Sequence, residues 1–268
     1  MAGPSRIATG MLTGGTASHR RGAGVLGAFI DALGWDDTLA RIEGWAAGRE
    51  SRYVCICNAH SVVTAHRWVG HRQVINGADM ATPDGAPVAW MLRRLGFAGQ
   101  PRVSGPDLMW ALCERCAVNG LPVYFYGSSQ DTLDALALRL GQAFPGLRIV
   151  GAESPPFRPL ADGEDAKAVD RINRSGAGIV FVSLGCPKQE AWMAAHRGRI
   201  NAVMIGVGAA FDFHAGTVRR APVWMREHGL EWLHRLLSEP RRLWRRYFVT
   251  NSLFILGAIR QLVFGRDS

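Results

Sequence analysis

The chain has 268 residues, of which 48% are hydrophobic and 20% are charged. This composition supports one large α/β domain, or one domain with an appendage, and it excludes disordered, collagen-like and disulfide-stapled proteins. Lys and Arg total 31 against 22 Asp and Glu, which gives a net charge of +9, and Lys167 and Lys188 are the only lysines. Arginine favours planar, two-pronged contacts with phosphates and carboxylates.

The positive charge is concentrated at the C-terminus. Ten arginines and four acidic residues follow residue 218, so this segment carries six of the nine net charges. Such a segment suits an anionic partner: a phosphate, a nucleic acid or an acidic membrane surface. The N-terminus lacks a continuous apolar signal region, and the five cysteines are an odd number. We therefore expect a cytoplasmic location with free thiols and no spanning run of about 18 apolar residues.

Residues 1–22 are rich in Gly, Ser, Thr and Arg, and we expect a flexible tail there. Apolar residues at helical spacing predict a first helix from residue 25 to about 47. Short apolar strands and helices then alternate. The predicted strands cover residues 53–57, 80–82, 122–126, 147–150, 179–184 and 203–207. The predicted helices cover residues 61–69, 88–95, 106–118, about 130–143, 162–174 and 188–196.

This alternation predicts an α/β domain over residues 23–218, with a mostly parallel, Rossmann-like sheet flanked by helices. Residues 219–268 differ, because tryptophans, leucines and arginines share amphipathic helices that Pro240 interrupts. We predict a C-terminal helical appendage at 219–268. Its aromatic face favours docking on an anionic membrane over a free nucleic-acid arm, and simple packing on the domain is the alternative.

Ligands of parallel α/β folds bind beyond the carboxyl ends of the strands. Asp84 follows a predicted strand within Pro-Asp-Gly, where a carboxylate can act as a general base, although the same residues form ordinary turns. Gly127 and Ser128 lie between a strand and a helix, where backbone N–H groups can receive a phosphate. Lys188 and Gln189 follow another strand and would emerge at the ligand face. Alternatively, they only form the start of a helix.

Several cofactor and metal sites are disfavoured by spacing. No complete Gly-x-Gly-x-x-Gly fingerprint is present, which disfavours a dinucleotide oxidoreductase. No Asp-x-Asp pair is present to hold a metal on a diphosphate, so arginines and helix dipoles would meet that charge. Cys113 and Cys116 form Cys-x-x-Cys inside an apolar helix without a second pair at zinc spacing. We expect no metal and no cofactor.

From about residue 53 to 254 the chain resembles the bacterial WecG/TagA/CpsF glycosyltransferases, family 26. The resemblance covers roughly three quarters of the chain and follows the same order. The matching stretches are residues 58–60 (Asn-Ala-His), 82–85 (Thr-Pro-Asp-Gly), 102–108, 144–147, 185–190 (Gly-Cys-Pro-Lys-Gln-Glu), 206–212 and 220–247.

The resemblance implies an enzyme that moves a sugar from a UDP-sugar to a polyprenyl-diphosphate-linked sugar, with inversion and without a required metal. It implies that Asp84 is the base, that Arg102 and Gln189 line the pocket, and that the appendage docks peripherally at the cytoplasmic face of the membrane. The appendage residues that match the family's arginines are Arg235, Arg241, Arg242 and Arg245. Further substrate contacts are expected at Asn58, His60, Gly127, Ser128, Lys188, Gly208 and Asp212.

One position departs from the family pattern: Ile56 stands where the family often has Thr. The Asn58-Ala59-His60 form is more similar to the exopolysaccharide branch, which includes the xanthan-type glucosyltransferase. The alternatives are an N-acetylmannosaminyl or N-acetylmannosaminuronyl transferase of the same family and a non-catalytic, nucleotide-binding membrane scaffold. A nucleic-acid binder ranks third, and we expect no nucleic-acid partner. A homo-oligomer is left open.

Overall fold

The structure, a computed structural model, describes residues 20–158 and 161–265. A two-stranded antiparallel hairpin, β1 (Gly22–Val25) and β2 (Ala28–Asp31), precedes a six-stranded parallel sheet. The sheet strands are β3 (Arg52–Cys57), β4 (Met80–Pro83), β5 (Val123–Gly127), β6 (Ile149–Glu153), β7 (Ile179–Ser183) and β8 (Val203–Gly206), in the spatial order β4-β3-β8-β7-β5-β6. The predicted α/β class with a parallel sheet is confirmed.

Twelve helices lie within the described residues. Nine of them belong to the α/β domain: α1 (Trp35–Ala47), α2 (Ala59–Arg67), α3 (Val69–Asn76), α4 (Ala86–Arg94), α5 (Gly105–Asn119), α6 (Gln130–Ala143), α7 (Asp162–Ser175), α8 (Lys188–His196) and α9 (Ala210–Ala215). The appendage contains α10 (Val223–Glu227), α11 (Glu231–Ser238) and α12 (Pro240–Phe264). Sequence patterns identified neither α3 nor α9.

The core forms two apolar layers, one on each face of the sheet. Successive residues of a strand point to opposite faces, so Val180 and Val182 of β7 join one layer, and Ile179 and Phe181 join the other. Both faces are therefore buried, which explains why the strands read as continuous apolar runs.

The predicted first helix at residues 25–47 is wrong over its first ten residues. Leu26 and Gly27 have positive φ angles of 50° and 88°, and they close the tight turn between β1 and β2. Helix α1 begins only at Trp35. Val25, Ala28 and Ile30 are buried, so the apolar spacing also fits alternating strand residues.

The start of the fold lies within the stretch predicted as a tail. Arg20 forms an ion pair with the buried Asp31 at 2.6 Å, and β1 starts at Gly22. The remainder of the predicted tail, residues 1–19, lies outside the described residues.

The appendage differs from its prediction in two ways. Its first helix is divided into α10 and α11 at Gly229, which has a positive φ of 71°. Within the described residues, α12 is long and apolar enough by composition to cross a membrane, with a mean hydropathy of 1.4. The expectation of no such segment was wrong, because it counted uninterrupted apolar residues, whereas Asn251 and Arg260 are tolerated within a helix of 25 residues.

The C-terminal half of α12 packs on the α/β domain. Phe254 and Ala258 are buried in the same apolar layer as Leu26. The buried Gln261 accepts a hydrogen bond from the backbone N–H of Leu26 at 3.0 Å and donates one to the carbonyl of Gly24 at 2.7 Å. These contacts join α12 to the N-terminal hairpin, so the hairpin and α12 stabilise one another.

Candidate active site

Parallel strands place their carboxyl ends at one edge of the sheet, and the predicted polar residues are spread along that edge, with Asp84 and Ser128 four strands apart. Asn58, Asp84 and Ser128 directly follow β3, β4 and β5. The strand ends are bonded to one another, since the Ser128 N–H donates to the carbonyl of Ser183 at 3.1 Å. The Ser183 hydroxyl donates to the carbonyl of Gly208 at 2.7 Å. These contacts order the edge where the family resemblance expects substrate.

The β5 end needs a glycine because two backbone segments approach closely. Gly127 has a φ of 119°, and a Cβ atom there would lie 2.4 Å from the Ser183 carbonyl oxygen. Ser128 follows with a positive φ of 63°. Ser129 then caps α6 by accepting a hydrogen bond from the Thr132 N–H. The helix N-terminus therefore lies at this edge, as the phosphate-site prediction requires.

Asp84 lies at the end of β4, where its own N–H donates to the carbonyl of Cys57 at 2.9 Å. Burial raises the pKa of its carboxyl from 3.8 to about 6, because the charged form loses water. The positive charge of Arg102 opposes this rise, and the negative charges of Glu231 and Asp107 add to it. A carboxylate with such a pKa is suited to accept a proton near neutral pH.

Gln189 and Asn58 support the backbone around this edge. Gln189 is buried, and its Oε1 accepts the Gly208 N–H at 3.2 Å. Asn58 caps α2, since its Oδ1 accepts the N–H groups of His60 and Ser61 at 3.0 and 3.1 Å. Lys188 is exposed at the first turn of α8.

A cluster of ion pairs joins the appendage to the α/β domain. Arg102 contacts Glu231 of α11 at 3.3 Å and Asp107 of α5 at 3.5 Å. Arg220 donates two hydrogen bonds to the Asp107 carboxylate, at 2.6 and 2.8 Å, and contacts Glu231 at 3.2 Å. Arg226 of α10 lies 3.5 Å from Asp107. We call these five residues the Arg102–Glu231 cluster.

Asp107 is the most strongly bound carboxylate of the cluster. Burial acts to raise its pKa, but hydrogen bonds from Arg220 and Ser104 outweigh burial and lower the pKa to about 2. Two-pronged guanidinium contacts of this kind are stronger and more specific than single ones. The ion pairs of the cluster therefore hold the appendage against the domain beside Asp84.

The four predicted appendage arginines are not equivalent. Arg235 lies over the Phe213 ring at 5.4 Å, and Arg242 pairs with Glu239, the residue just before α12. Burial raises the pKa of Asp212, while the positive charges of Arg235 and Arg242 act to lower it. Arg241 and Arg245 are exposed.

Sequence reasoning missed several residues at this edge. Arg246 of α12 lies close enough to His60 that its charge adds to burial in lowering the pKa of that imidazole. Asp107, Arg220 and Glu231 belong to the stretches that carry the family resemblance, but pattern alone gave them no role. Their positions 107, 220 and 231 are far apart in the chain, so only the fold identifies them as partners.

Two cavities open beside the Arg102–Glu231 cluster. One, of about 430 Å³, lies between α4, Arg102 and the α10–α11 turn. The other, of about 500 Å³, is lined by Trp35, Trp110 and Phe213. Within the described part of the chain, neither cavity is lined by Asp84. A Cβ at Gly229 would lie 2.7 Å from Ala86, which shows how closely the appendage packs beside Asp84.

Comparisons with known proteins place the chain in a family. The sequence profile of the "Glycosyl transferase WecG/TagA/CpsF family" matches residues 23–268. The chain belongs to this family. It is therefore a glycosyltransferase, and the resemblance stated from the strand-end motifs is confirmed.

A relative from Bacillus spizizenii supports the assignment to the WecG/TagA/CpsF family. It is named N-acetylglucosaminyldiphosphoundecaprenol N-acetyl-beta-D-mannosaminyltransferase. It is 32% identical over 197 residues, which cover 69% of this chain and 73% of the relative.

The depressed pKa of Asp107 predicts a pH-dependent stability. A carboxyl whose pKa is lowered by folding stabilises the fold above its ordinary pKa of 3.8, and this is lost as the pH falls through about 2. Because the side chain is partly exposed, we expect Asp107→Asn to lower the free energy of unfolding by about 1–2 kcal/mol at neutral pH. Urea unfolding should show this difference shrinking by about half near pH 3.

The control for this measurement is Asp134→Asn, which changes an exposed carboxylate that accepts a hydrogen bond from Gln130. Its effect should stay within about 0.5 kcal/mol. Two results would contradict the role of the cluster. In one, the wild type and Asp107→Asn have the same free energy of unfolding at neutral pH. In the other, their difference is as large at pH 3 as at neutral pH.

Proposed function

We propose that this glycosyltransferase moves a sugar from a UDP-sugar to a polyprenyl-diphosphate-linked sugar in cell-surface or exopolysaccharide synthesis. The observation that carries the proposal is Asp84, a desolvated carboxylate with a pKa of about 6 at the carboxyl edge of the sheet. It lies beside Arg102 and beneath a basic, aromatic appendage. Family membership supplies the reaction class, and this geometry supplies the candidate base.

The proposed step is an inverting displacement. The ionised Asp84 takes the proton of the acceptor hydroxyl while that oxygen forms a bond to the anomeric carbon of the donor. The bond from that carbon to the diphosphate oxygen breaks, and its electron pair leaves with UDP. Arg102 and the appendage arginines would neutralise the leaving diphosphate. The α6 N-terminus lies four strands away from β4, at about 19 Å, and is too distant to share this role. Neither a metal nor a cofactor takes part in this step.

Two observations bear on the substrates. The Bacillus relative is named for an undecaprenyl-diphosphate-linked acceptor and an N-acetylmannosaminyl product, which supports a lipid-linked acceptor and makes N-acetylmannosamine the alternative donor sugar. The Asn58-Ala59-His60 form supports a hexose donor of the exopolysaccharide branch. A catalytically silent scaffold is disfavoured, because it gives no reason to hold a carboxylate with a raised pKa beside Arg102.

The appendage supports peripheral membrane association at the cytoplasmic face. Large apolar side chains are exposed along α12: Trp244, Phe248, Val249, Ile255, Leu256, Ile259, Leu262, Val263 and Phe264. Arginines 241, 242, 245 and 246 lie at its N-terminal end. An amphipathic helix with these two features binds an anionic bilayer surface. The opposite face of α12 packs on the domain, so we propose that the helix lies in the interface and does not span.

Asp84→Asn tests the base directly. The amide keeps the size of the carboxylate but cannot accept the proton, and general-base catalysis contributes about 10²–10⁴-fold. We expect turnover, followed by UDP release with a lipid-linked acceptor, to fall by that factor while the dissociation constant for UDP stays within about twofold. Asp134→Asn is the matched control. Near-normal turnover by the Asp84→Asn variant would exclude Asp84 as the base.

A donor panel tests the transfer itself. The full-length chain is given UDP-glucose, UDP-N-acetylmannosamine or UDP-N-acetylmannosaminuronic acid with a polyprenyl-diphosphate-linked sugar, and the lipid product is identified by mass spectrometry. We expect one donor to yield an extended lipid, with the same rate whether or not Mg²⁺ or Mn²⁺ is added. Absence of product from every donor would support the non-catalytic scaffold. An absolute need for Mg²⁺ or Mn²⁺ would contradict the proposal that arginines neutralise the diphosphate without a metal.

Membrane docking is best tested by substitution. Deleting the chain from Pro240 would also remove Phe254 and Ala258 from the core, so a loss of binding would be ambiguous. Trp244 and Phe248 are 58% and 70% exposed, and changing both to Ser should leave the fold intact. We expect co-sedimentation with anionic liposomes to fall by about tenfold or more, since each ring contributes apolar burial.

The matched control for docking is Phe157→Ser, since this ring is 92% exposed outside the appendage. High salt should weaken binding of the wild type, because the arginine contribution is screened. If the double variant and the control sediment equally with liposomes, these exposed rings have no role in docking and α12 only packs on the domain.

A further inference from the structure

A second group of polar side chains lies behind the strand-end site. His71 on α3, Cys186 before α8 and Glu190 on α8 each offer one metal-binding atom, and these atoms lie within 4.8 Å of one another. His71 and Glu190 are buried to 1% exposure, and Cys186 is half-buried. We call these three residues the His71–Cys186–Glu190 cluster. No step of the proposed sugar transfer uses them.

Two atoms of this cluster have no hydrogen-bond partner among the described residues. They are Nδ1 of His71 and Oε2 of Glu190. A buried polar atom without a partner costs about 1–3 kcal/mol. An ion bound by Oε2 of Glu190 would supply the missing partner of that atom. Nδ1 of His71 lies across the ring from Nε2, the atom beside Cys186, so it would carry the ring proton while Nε2 binds the ion.

The spacing and chemistry of the cluster fit a divalent cation. Nε2 of His71 lies 3.8 Å from Sγ of Cys186. Zn–S and Zn–N bonds of about 2.3 and 2.0–2.1 Å at a tetrahedral angle place S and N about 3.5 Å apart, so this pair is within a few tenths of an ångström of zinc spacing. The three ligand atoms are separated by up to 4.8 Å, so binding also draws the Glu190 side chain inward. One thiolate and one carboxylate also neutralise a 2+ ion in a buried position, which limits the desolvation cost.

We propose that His71, Cys186 and Glu190 form a Zn²⁺ site. The set of one sulfur, one nitrogen and one oxygen ligand favours Zn²⁺ over Mg²⁺ or Ca²⁺, which prefer oxygen ligands alone. Three protein ligands leave the fourth position for water, which the half-buried side of Cys186 admits. Binding deprotonates the Cys186 thiol and releases that proton to solvent, together with the Glu190 proton where the carboxyl carries one.

The cluster contacts the strand-end site on two sides. The Ser61 hydroxyl reaches both Sγ of Cys186 at 3.6 Å and Oδ1 of Asn58 at 3.5 Å. Oε1 of Glu190 accepts a hydrogen bond from Nε2 of Gln189 at 2.9 Å. A metal ion here would fix the cap of α2 and the Gln189 amide in place. Its role is positional, and it is separate from any ion on the diphosphate.

The test measures metal binding by the full-length, untagged protein, so its outcome does not depend on sugar transfer. Chelator-treated protein is given one equivalent of Zn²⁺ and desalted, and retained zinc is measured by mass spectrometry. A parallel sample is given Co²⁺, whose thiolate bond produces a near-ultraviolet charge-transfer band. We expect about one ion per chain and a clear thiolate band.

Variants assign the ligands. Cys186→Ser and His71→Gln should each weaken Zn²⁺ binding by at least about 100-fold, since even outer contacts of a metal contribute about 10–100-fold. The matched control is the double variant Cys113→Ser/Cys116→Ser, which removes the Cys-x-x-Cys pair buried in α5 and should bind as the wild type does. Circular dichroism confirms that each variant is folded before loading.

Three outcomes would overturn the proposal: wild-type protein that retains no zinc, a cobalt form without the thiolate band, and Cys186→Ser that binds as tightly as the wild type. Zinc lost only with Cys113 and Cys116 would move the site to α5. If Cys186→Ser proves unfolded, the test becomes the melting temperature of the wild type with and without Zn²⁺. A ligand that binds only the folded chain must raise that temperature. An unchanged melting temperature in excess Zn²⁺ would also exclude the site.

Discussion

The Arg102–Glu231 cluster is the interaction on which the arrangement of the site depends. Its residues come from the α4–α5 connection, from α5 and from the appendage, and arginines alternate with carboxylates along it. An exposed ion pair contributes little, but a network with two-pronged contacts also fixes geometry. Here the geometry is the position of the appendage beside Asp84. Glu231 and Asp107 of this cluster also act on Asp84, because their negative charges add to the rise in the pKa of that carboxyl.

The same packing gives the appendage two faces with different tasks. Glu231 and Arg226 face the α/β domain, and α12 contributes Phe254, Ala258 and Gln261 to the domain and the N-terminal hairpin. The large apolar side chains on the outside of α12 remain exposed. In the proposed function, the outer face meets the bilayer that carries the acceptor, and the inner face limits water around the base. Under this proposal one segment links membrane binding to the burial of Asp84.

Sequence reasoning reached the sheet and most of the strand-end residues, because a parallel sheet gathers whatever follows its strands at one edge. Asp84, Gly127 and Gln189 could be placed in this way. The β1–β2 hairpin could not, since Leu26 and Gly27 gave no Asn-Gly or Asp-Gly turn signal. The partnership of Asp107 with Arg220 was equally hidden, since the two are 113 residues apart and only folding makes them neighbours. The apolar character of α12 over its whole length was missed, because scattered polar residues interrupt its apolar run.

The central claim is that a desolvated Asp84 accepts the proton during sugar transfer. The most direct measurement is the pH dependence of kcat/KM for the full-length enzyme with a lipid-linked acceptor. With a pKa of about 6, activity should be level above neutral pH and fall about tenfold per pH unit below pH 6, since only the ionised carboxylate accepts a proton. The residual activity of Asp84→Asn should lack this acidic limb. A wild-type profile that stays flat well below pH 6, or a limb that persists in Asp84→Asn, would contradict the account.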